Sequence, residues 1–341
     1  MTPDTTSRSP RTAALHARGL RKRYGAAAAL DGFDLEIASG SVHGLLGPNG
    51  AGKTTAVRCL TTLTSIDRGT ATIDGIDVRS DPAAVRERIG FVGQFHAVDE
   101  ALTARQNLVL FARLSGLAKS SAKHRAAELI EAFELSDASD RAVSGFSGGM
   151  RRRLDIAASL VLTPTILFLD EPTTGLDPRG RATVWQAVRE IAAAGTTVLL
   201  TTQYLDEADQ LADHVSVMEH GRVIAEGTPA MLKRRFGGDR VAATIADATR
   251  VAEAARIIAR ATGAEASVDG DTRMVTVEVP DGAKALAPVV RELDAAVIEV
   301  VDLALRRPTL DEVFLHVTGR GATEPADPPA PAAPAEPQEA R

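Results

Sequence analysis

The segment GPNGAGKTT at residues 47–55 constrains this chain more than any other. It fits G-x-x-x-x-G-K-[ST], with Gly47, Gly52, Lys53 and Thr54 at the fixed places. Glycines there let the backbone curl so that successive N–H groups point inward at phosphate oxygens. The whole loop, with Pro48, Asn49, Gly50, Ala51 and Thr55, is therefore a candidate nucleotide cradle. Lys53 brings a mobile cation to the terminal phosphates, and the Thr54 hydroxyl can ligate Mg²⁺. An apolar run, Val42 to Leu46, precedes the loop and a helical pattern follows it. The positive end of that helix then faces the same anion.

Two further runs, TILFLD (165–170) and TVLLTT (197–202), match SVHGLLG (41–47) in character. Short, Leu/Val/Ile-rich and followed by turn or helix signals, they predict a mainly parallel sheet buried on both faces. Residues 103–160 break the pattern. TARQNLVLFARLSG and SAKHRAAELIEAFEL read as amphipathic helices of a mainly helical insertion. From about residue 237 a strand, a helix, a hairpin-like SVDGDTRMVTVEV, a second helix and VIEVVDLAL predict a small α+β domain. Gly237, Gly238 and Gly263 mark its joints. The expected division is a loose 1–12, an α/β domain bearing the phosphate loop at 13–236 with its helical part at about 95–160, an accessory α+β domain at 237–319, and a tail at 320–341. Six of the 17 prolines fall in that tail, so it is expected to be a disordered linker.

The net charge is −6, which does not favour nucleic acid or an anionic membrane surface. The single cysteine, Cys59, excludes an internal disulfide and reads as a small core residue. The N-terminus lacks a signal-like apolar region, and no apolar run approaches the ~18 residues that span a bilayer. Work at a membrane would require docking on another chain.

ILFLDEP puts Asp170 and Glu171 at the carboxyl end of a buried strand, where open parallel sheets bind ligands. Asp170 is expected near Mg²⁺, acting through coordinated water. Glu171, one residue on, is placed to orient and polarise an attacking water. A second anion-seeking feature is FSGGMRRRLDIAASLV (146–161). Ser147 reads as an N-cap, with Gly148 and Gly149 freeing the backbone at a positive helix end. The pair of features predicts a nucleotide held between two surfaces.

Together these segments resemble the ATP-binding subunit of an ABC transporter, a P-loop NTPase of RecA-like fold. GPNGAGKT is similar to Walker A, ILFLDEP to Walker B and FSGGM to the LSGGQ signature. TGLD (174–177) resembles the D-loop, with Asp177. FVGQ ends in Gln94, which resembles the Q-loop glutamine and joins Thr54 and Asp170 as a candidate Mg²⁺ ligand. Tyr24 stands where the family has an aromatic that stacks on adenine. The resemblance covers roughly residues 14–232 and implies ATP hydrolysis by a head-to-tail pair of copies. ATP on one copy would be capped in trans by Ser147, Gly148 and Gly149 of the other. It further implies a separate membrane permease met through the helical insertion, with DEALTARQNL (99–108) as the local contact.

Two positions depart from the family pattern. Met150 replaces the signature glutamine, and Gln203 replaces the switch histidine. Gln203 is still expected to face the terminal phosphate. Its amide can position phosphate but cannot carry a proton near neutral pH.

RRPTLDEVFLHVTG (306–319), TTQYLDEAD and the signature segment resemble drug-exporter ATPases of the daunorubicin-resistance type. The implied role is to power efflux of a drug or other hydrophobic compound from the cytoplasmic face of the membrane. The transported compound would not touch this chain. An importer ATPase and a soluble non-transport ABC protein remain as alternatives. The helix LDEVFL, with Leu310, Val313, Phe314 and Val317 on one side, suits docking. The remaining cationic clusters read as solvated: Arg18, Arg21, Lys22 and Arg23 as an edge, and most of Arg151, Arg152 and Arg153. Trp185 and Phe168 read as core.

Overall fold

The computed structural model describes residues 13–236, 238–280, 282–306 and 308–318. The expected loose N-terminus, the Pro-rich tail and Gly237 lie outside the described residues.

The centre is a six-stranded sheet. Its spatial order is Arg222–Gly227, His214–Glu219, Val42–Leu46, Thr197–Thr202, Ile166–Asp170 and Ile89–Val92. All neighbours pair in parallel except the first two, which form an antiparallel hairpin. Strand alternation accounts for the unbroken apolar runs, because both faces are covered. Leu167, Leu169, Val198 and Leu200 face one core with Leu108, Ile130, Leu154 and Val188 of the helical side. Ile166, Phe168, Leu199 and Leu45 face a second core with Phe33, Val57, Cys59 and Leu60.

The second core is closed by an antiparallel sheet that the sequence did not announce. Its order is Ala27–Ala38, Ala13–Tyr24, Arg68–Ile73 and Ile76–Asp77. Register shifts interrupt the pairing of its two long strands, so their alternation is broken in the sequence. Lys22, read as solvated, is buried here and pairs with Asp67 at 2.9 Å.

The helical part contains Ala104–Leu114, Lys119–Ala132 and Gly148–Ser159. Thr103 and Gln106 form a reciprocal cap on the first of these. Ser147 caps the third, its hydroxyl accepting from the Met150 N–H at 3.3 Å.

Residues 239–306 form an antiparallel sheet in the order Ala266–Asp269, Met274–Val279, Asp239–Ile245, Val300–Arg306. Helices Val251–Thr262 and Gly282–Ala295 cover one face, giving a split βαββαβ arrangement. Gly263 ends the first helix in a left-handed conformation. The final helix, Leu310–Val317, does turn an apolar side to a partner, and that partner is the same chain. Leu310 and Val313 are buried with Leu46, Ala208, Val217 and Leu232 beside the six-stranded sheet.

Candidate active site

The loop after Val42–Leu46 is tight enough to demand glycine at two places. A Cβ on Gly47 would lie 2.4 Å from the Met218 carbonyl oxygen. A Cβ on Gly52 would lie 2.4 Å from that of Ala29, and Gly52 also has φ +107°. Helix Lys53–Leu60 starts directly after it, with its N-terminus turned to the loop.

A cleft of about 490 Å³ opens over this helix start. Pro48, Asn49, Gly50, Gly52, Lys53, Thr54 and Thr55 line one side. Gln94, Glu171, Thr174 and Gln203 join from the ends of three other strands of the same sheet, and Ala29 of the antiparallel sheet completes the lining. Gln203 thus follows Thr197–Thr202 into the cleft rather than ending a strand in solvent. Gly47 and Ala51 shape the loop from behind without lining the cleft.

The Lys53 ammonium is buried and folds over its own loop. It donates to the Gly47 carbonyl at 2.8 Å and to the Pro48 carbonyl at 3.2 Å. The Glu171 carboxylate stands 3.6 Å away. Burial pulls the Lys53 pKa below its ordinary value, with Glu171 opposing. Glu171 itself has φ +49°, a left-handed conformation that non-glycine residues adopt at a cost. Its N–H donates to the Thr201 hydroxyl at 3.0 Å, and Thr174 donates to its carboxylate at 3.4 Å.

Asp170 is buried beneath the cleft. It accepts from the Thr54 hydroxyl at 3.3 Å and from the Thr201 hydroxyl at 2.6 Å. The Gln94 amide reaches Thr54 Oγ1 at 3.5 Å. The Thr54 hydroxyl therefore stands between the Asp170 carboxylate and the Gln94 amide, whose Nε2 faces it; the amide oxygen is the atom a metal would take. The Thr54 hydroxyl and the Asp170 carboxylate are hard oxygen donors and fit Mg²⁺, with the Gln94 amide oxygen as a third.

Tyr24 is half exposed and is not among the residues lining the cleft. The Lys22 ammonium lies 5.7 Å from its ring centroid.

Ser147, Gly148 and Gly149 lie elsewhere. They line a separate groove of about 410 Å³ with Met150, Leu176, Asp177, Arg179 and Gly180. Asp177 caps the helix Pro178–Ala193, accepting from the Gly180 N–H at 2.7 Å. One chain thus carries a phosphate-loop cleft and a distinct groove at a capped helix start, with no lining residue in common.

Thr201, Thr174 and Arg152 were not singled out from sequence for this site. Arg152, grouped there with solvated arginines, is buried and donates to three backbone carbonyls around Gln94 and Glu171. Arg151 and Arg153 sit nearer the surface, paired with Glu100 and Glu134.

Residues 30–174 match the family model of the ABC transporter. Residues 227–318 match that of the C-terminal domain of DrrA1-3-like ATP-binding proteins. The chain is 54% identical over 306 residues to a daunorubicin resistance ATP-binding protein of Streptomyces coeruleorubidus, covering 90% of this chain and 95% of that one. It belongs to the ATP-binding subunits of ABC transporters. A daunorubicin/doxorubicin resistance ATP-binding protein of Streptomyces peucetius is 51% identical, over 92% of this chain and 94% of that protein. A Nod factor export ATP-binding protein of Burkholderia orbicola is 37% identical, over 89% and 96%. The ABC cassette also superposes on a solved dimeric cassette in a post-hydrolysis state with ADP and phosphate. That match has a TM-score of 0.57 at 25% identity and covers 63% of this chain and 98% of that one. This ABC cassette is accordingly an ATP-binding and ATP-hydrolysing subunit.

Proposed function

We propose that the chain powers export of a drug or other hydrophobic compound through a separate membrane permease. Two copies would close head to tail on ATP and Mg²⁺. The observation that carries this reading is the pair of half-sites on one chain. Among the described residues, Ser147, Gly148 and Gly149 do not line the phosphate-loop cleft, and no phosphate-loop residue lines the Ser147 groove. Each is completed by a second copy in the opposite orientation.

Within the cleft, loop N–H groups and Lys53 hold the phosphates. Thr54, Asp170 and Gln94 would hold Mg²⁺, which supplies charge neutralisation on the terminal phosphates. Glu171 orients and polarises the water, and Thr174 fixes its carboxylate. Gln203 donates its amide to the terminal phosphate. Ser147 and the free N–H groups of Gly148 and Gly149 cap the nucleotide from the partner copy, with Asp177 at the seam. Tyr24 would join adenine only after its side chain turns from Lys22.

Among the described residues no helix is long and apolar enough to cross a membrane. Attachment to the membrane therefore falls to the permease, at its cytoplasmic face. Phe95, 88% exposed, and Leu63 line a depression of about 270 Å³ together with Gln94 and Ala97. That apolar rim offers the permease a seat. Likeness to drug-resistance and Nod factor export proteins along most of the chain supports the outward direction.

The test is reconstitution. ATPase activity of the chain should differ with and without a six-span permease drawn from its neighbouring genes. Vesicles should move a hydrophobic drug toward the side opposite the cassette. Transport toward the cassette side would sink the exporter reading.

A further inference from the structure

We propose that Arg152 is a positioning residue that ties the Ser147 turn to Gln94 and Glu171 of the same chain. This rests on the reading of Glu171 as the water-orienting carboxylate and of the Ser147 turn as a trans cap.

The Arg152 residue is 3% exposed. Its Nη1 donates to the Gly93 carbonyl at 2.7 Å, its Nε to the Pro172 carbonyl at 2.9 Å and its Nη2 to the Asp170 carbonyl at 3.2 Å. The Gly93 carbonyl belongs to the peptide leading into Gln94. The Asp170 and Pro172 carbonyls stand on either side of Glu171. One guanidinium thus grips both catalytic segments by their backbone.

Burying a cation is costly, and none of these bonds goes to a carboxylate. If the pocket needed only filling, an apolar side chain would do so at less cost. What an apolar side chain cannot do is donate in three directions from one plane, which the arginine fork does.

The same helix holds the other end of the Gln94 segment. Asp155 lies three residues beyond Arg152, on the same face. Its carboxylate accepts from the Ala97 N–H at 3.0 Å and the Val98 N–H at 3.4 Å, and contacts His96 Nδ1. Gln94 therefore sits between two anchors on one helix. That helix begins at Gly148, about 6 Å along its axis from Arg152. A helix is stiff over such a length, so a shift of its capped end on meeting nucleotide in the partner moves Arg152. Gln94 and Glu171 then follow together.

The experiment compares Arg152→Met and Arg152→Lys with the unmodified protein, alone and with its permease. ATP affinity is read with a fluorescent ATP analogue and turnover by phosphate release. Arg152→Met should lower kcat about 100-fold, while the nucleotide dissociation constant changes by less than about threefold. Arg152→Lys keeps the charge without the fork and should fall between. If Arg152→Met does not fold, Arg152→Lys and Arg152→Gln carry the same comparison. A kcat within about twofold of the parent, or equal losses in kcat and affinity, overturns the proposal.

Mixed dimers test the claim that the tie acts within one chain. Arg152→Met beside Ser147→Arg leaves one site untouched and should retain turnover. Arg152→Met beside Glu171→Gln damages both sites and should not. The reverse pattern would show that Arg152 serves the partner's nucleotide instead. Failure of the site reading shows separately, as ATP binding that survives Lys53→Ala.

Discussion

The Thr201 hydroxyl donates to the Asp170 carboxylate at 2.6 Å while accepting from the Glu171 N–H at 3.0 Å. One fully buried side chain thus sets the carboxylate assigned to Mg²⁺ and the backbone of the carboxylate assigned to water. Thr201→Val keeps the shape and removes both bonds. The Glu171 N–H keeps a bond to the Thr201 carbonyl at 3.2 Å, so its left-handed turn should survive. Losing the hydroxyl should cost about 1–2 kcal/mol of stability. The half-saturating Mg²⁺ concentration should rise and kcat should fall about tenfold. A Mg²⁺ titration of ATPase activity checks this, and an unchanged Mg²⁺ midpoint would refute it.

Lys53 and Glu171 face each other at 3.6 Å, yet their roles should separate cleanly. Glu171→Gln removes the carboxylate proposed to polarise water and leaves the phosphate cradle intact. Turnover should fall by about 10²–10⁴ with ATP binding retained. Lys53→Ala removes the cation itself, so nucleotide affinity should collapse. Equilibrium binding and steady-state hydrolysis on both variants decide between these outcomes.

His43 is a buried base at the centre of the parallel sheet, bonded to Ser216 and stacked 6.4 Å from His214. Burial, and less strongly the nearby His214, push its pKa down from 6.5 to about 4. The fold therefore requires the neutral ring. As pH falls below 6.5 the unfolded chain binds a proton that the folded chain refuses, so stability drops until about pH 4 and then levels. This single group should account for about 3 kcal/mol of loss by pH 4. Denaturation midpoints across that window should flatten in His43→Leu/Ser216→Ala relative to the parent. An equally steep pH dependence in the double variant would exclude His43 as the source.

How legible each part was in the sequence follows from what fixes it. The phosphate loop could be read because its backbone path forbids a Cβ at Gly47 and Gly52, which imposes residue types at set spacing. The three buried strands could be read because covering both sheet faces makes them short runs dominated by Leu, Val and Ile, with few polar positions such as His43. Thr201 was invisible as a site residue, since threonine in TVLLTT is an ordinary β-branched strand residue. Only the parallel pairing of Asp170 with Thr201 makes it functional. Arg152 was hidden differently. In a run of three arginines nothing marks the one whose helical position points inward. The bulged antiparallel sheet was missed because its long strands lack a steady period of two.

Gln203 is where the reading of the chain is most exposed to test. It enters the cleft beside Glu171 and Lys53 in the place the family gives to histidine. An amide holds one donor and one acceptor at every pH near neutral, whereas imidazole changes charge near pH 6.5. If the position serves to orient the terminal phosphate, Gln203→Ala should lose about 10–100-fold in kcat. Gln203→His should keep most activity and acquire an inflection in its pH–rate profile between about 6 and 7. The parent should show no inflection that disappears in Gln203→Ala. A parent profile that loses an inflection on that substitution, or a silent Gln203→Ala, would remove Gln203 from the catalytic set.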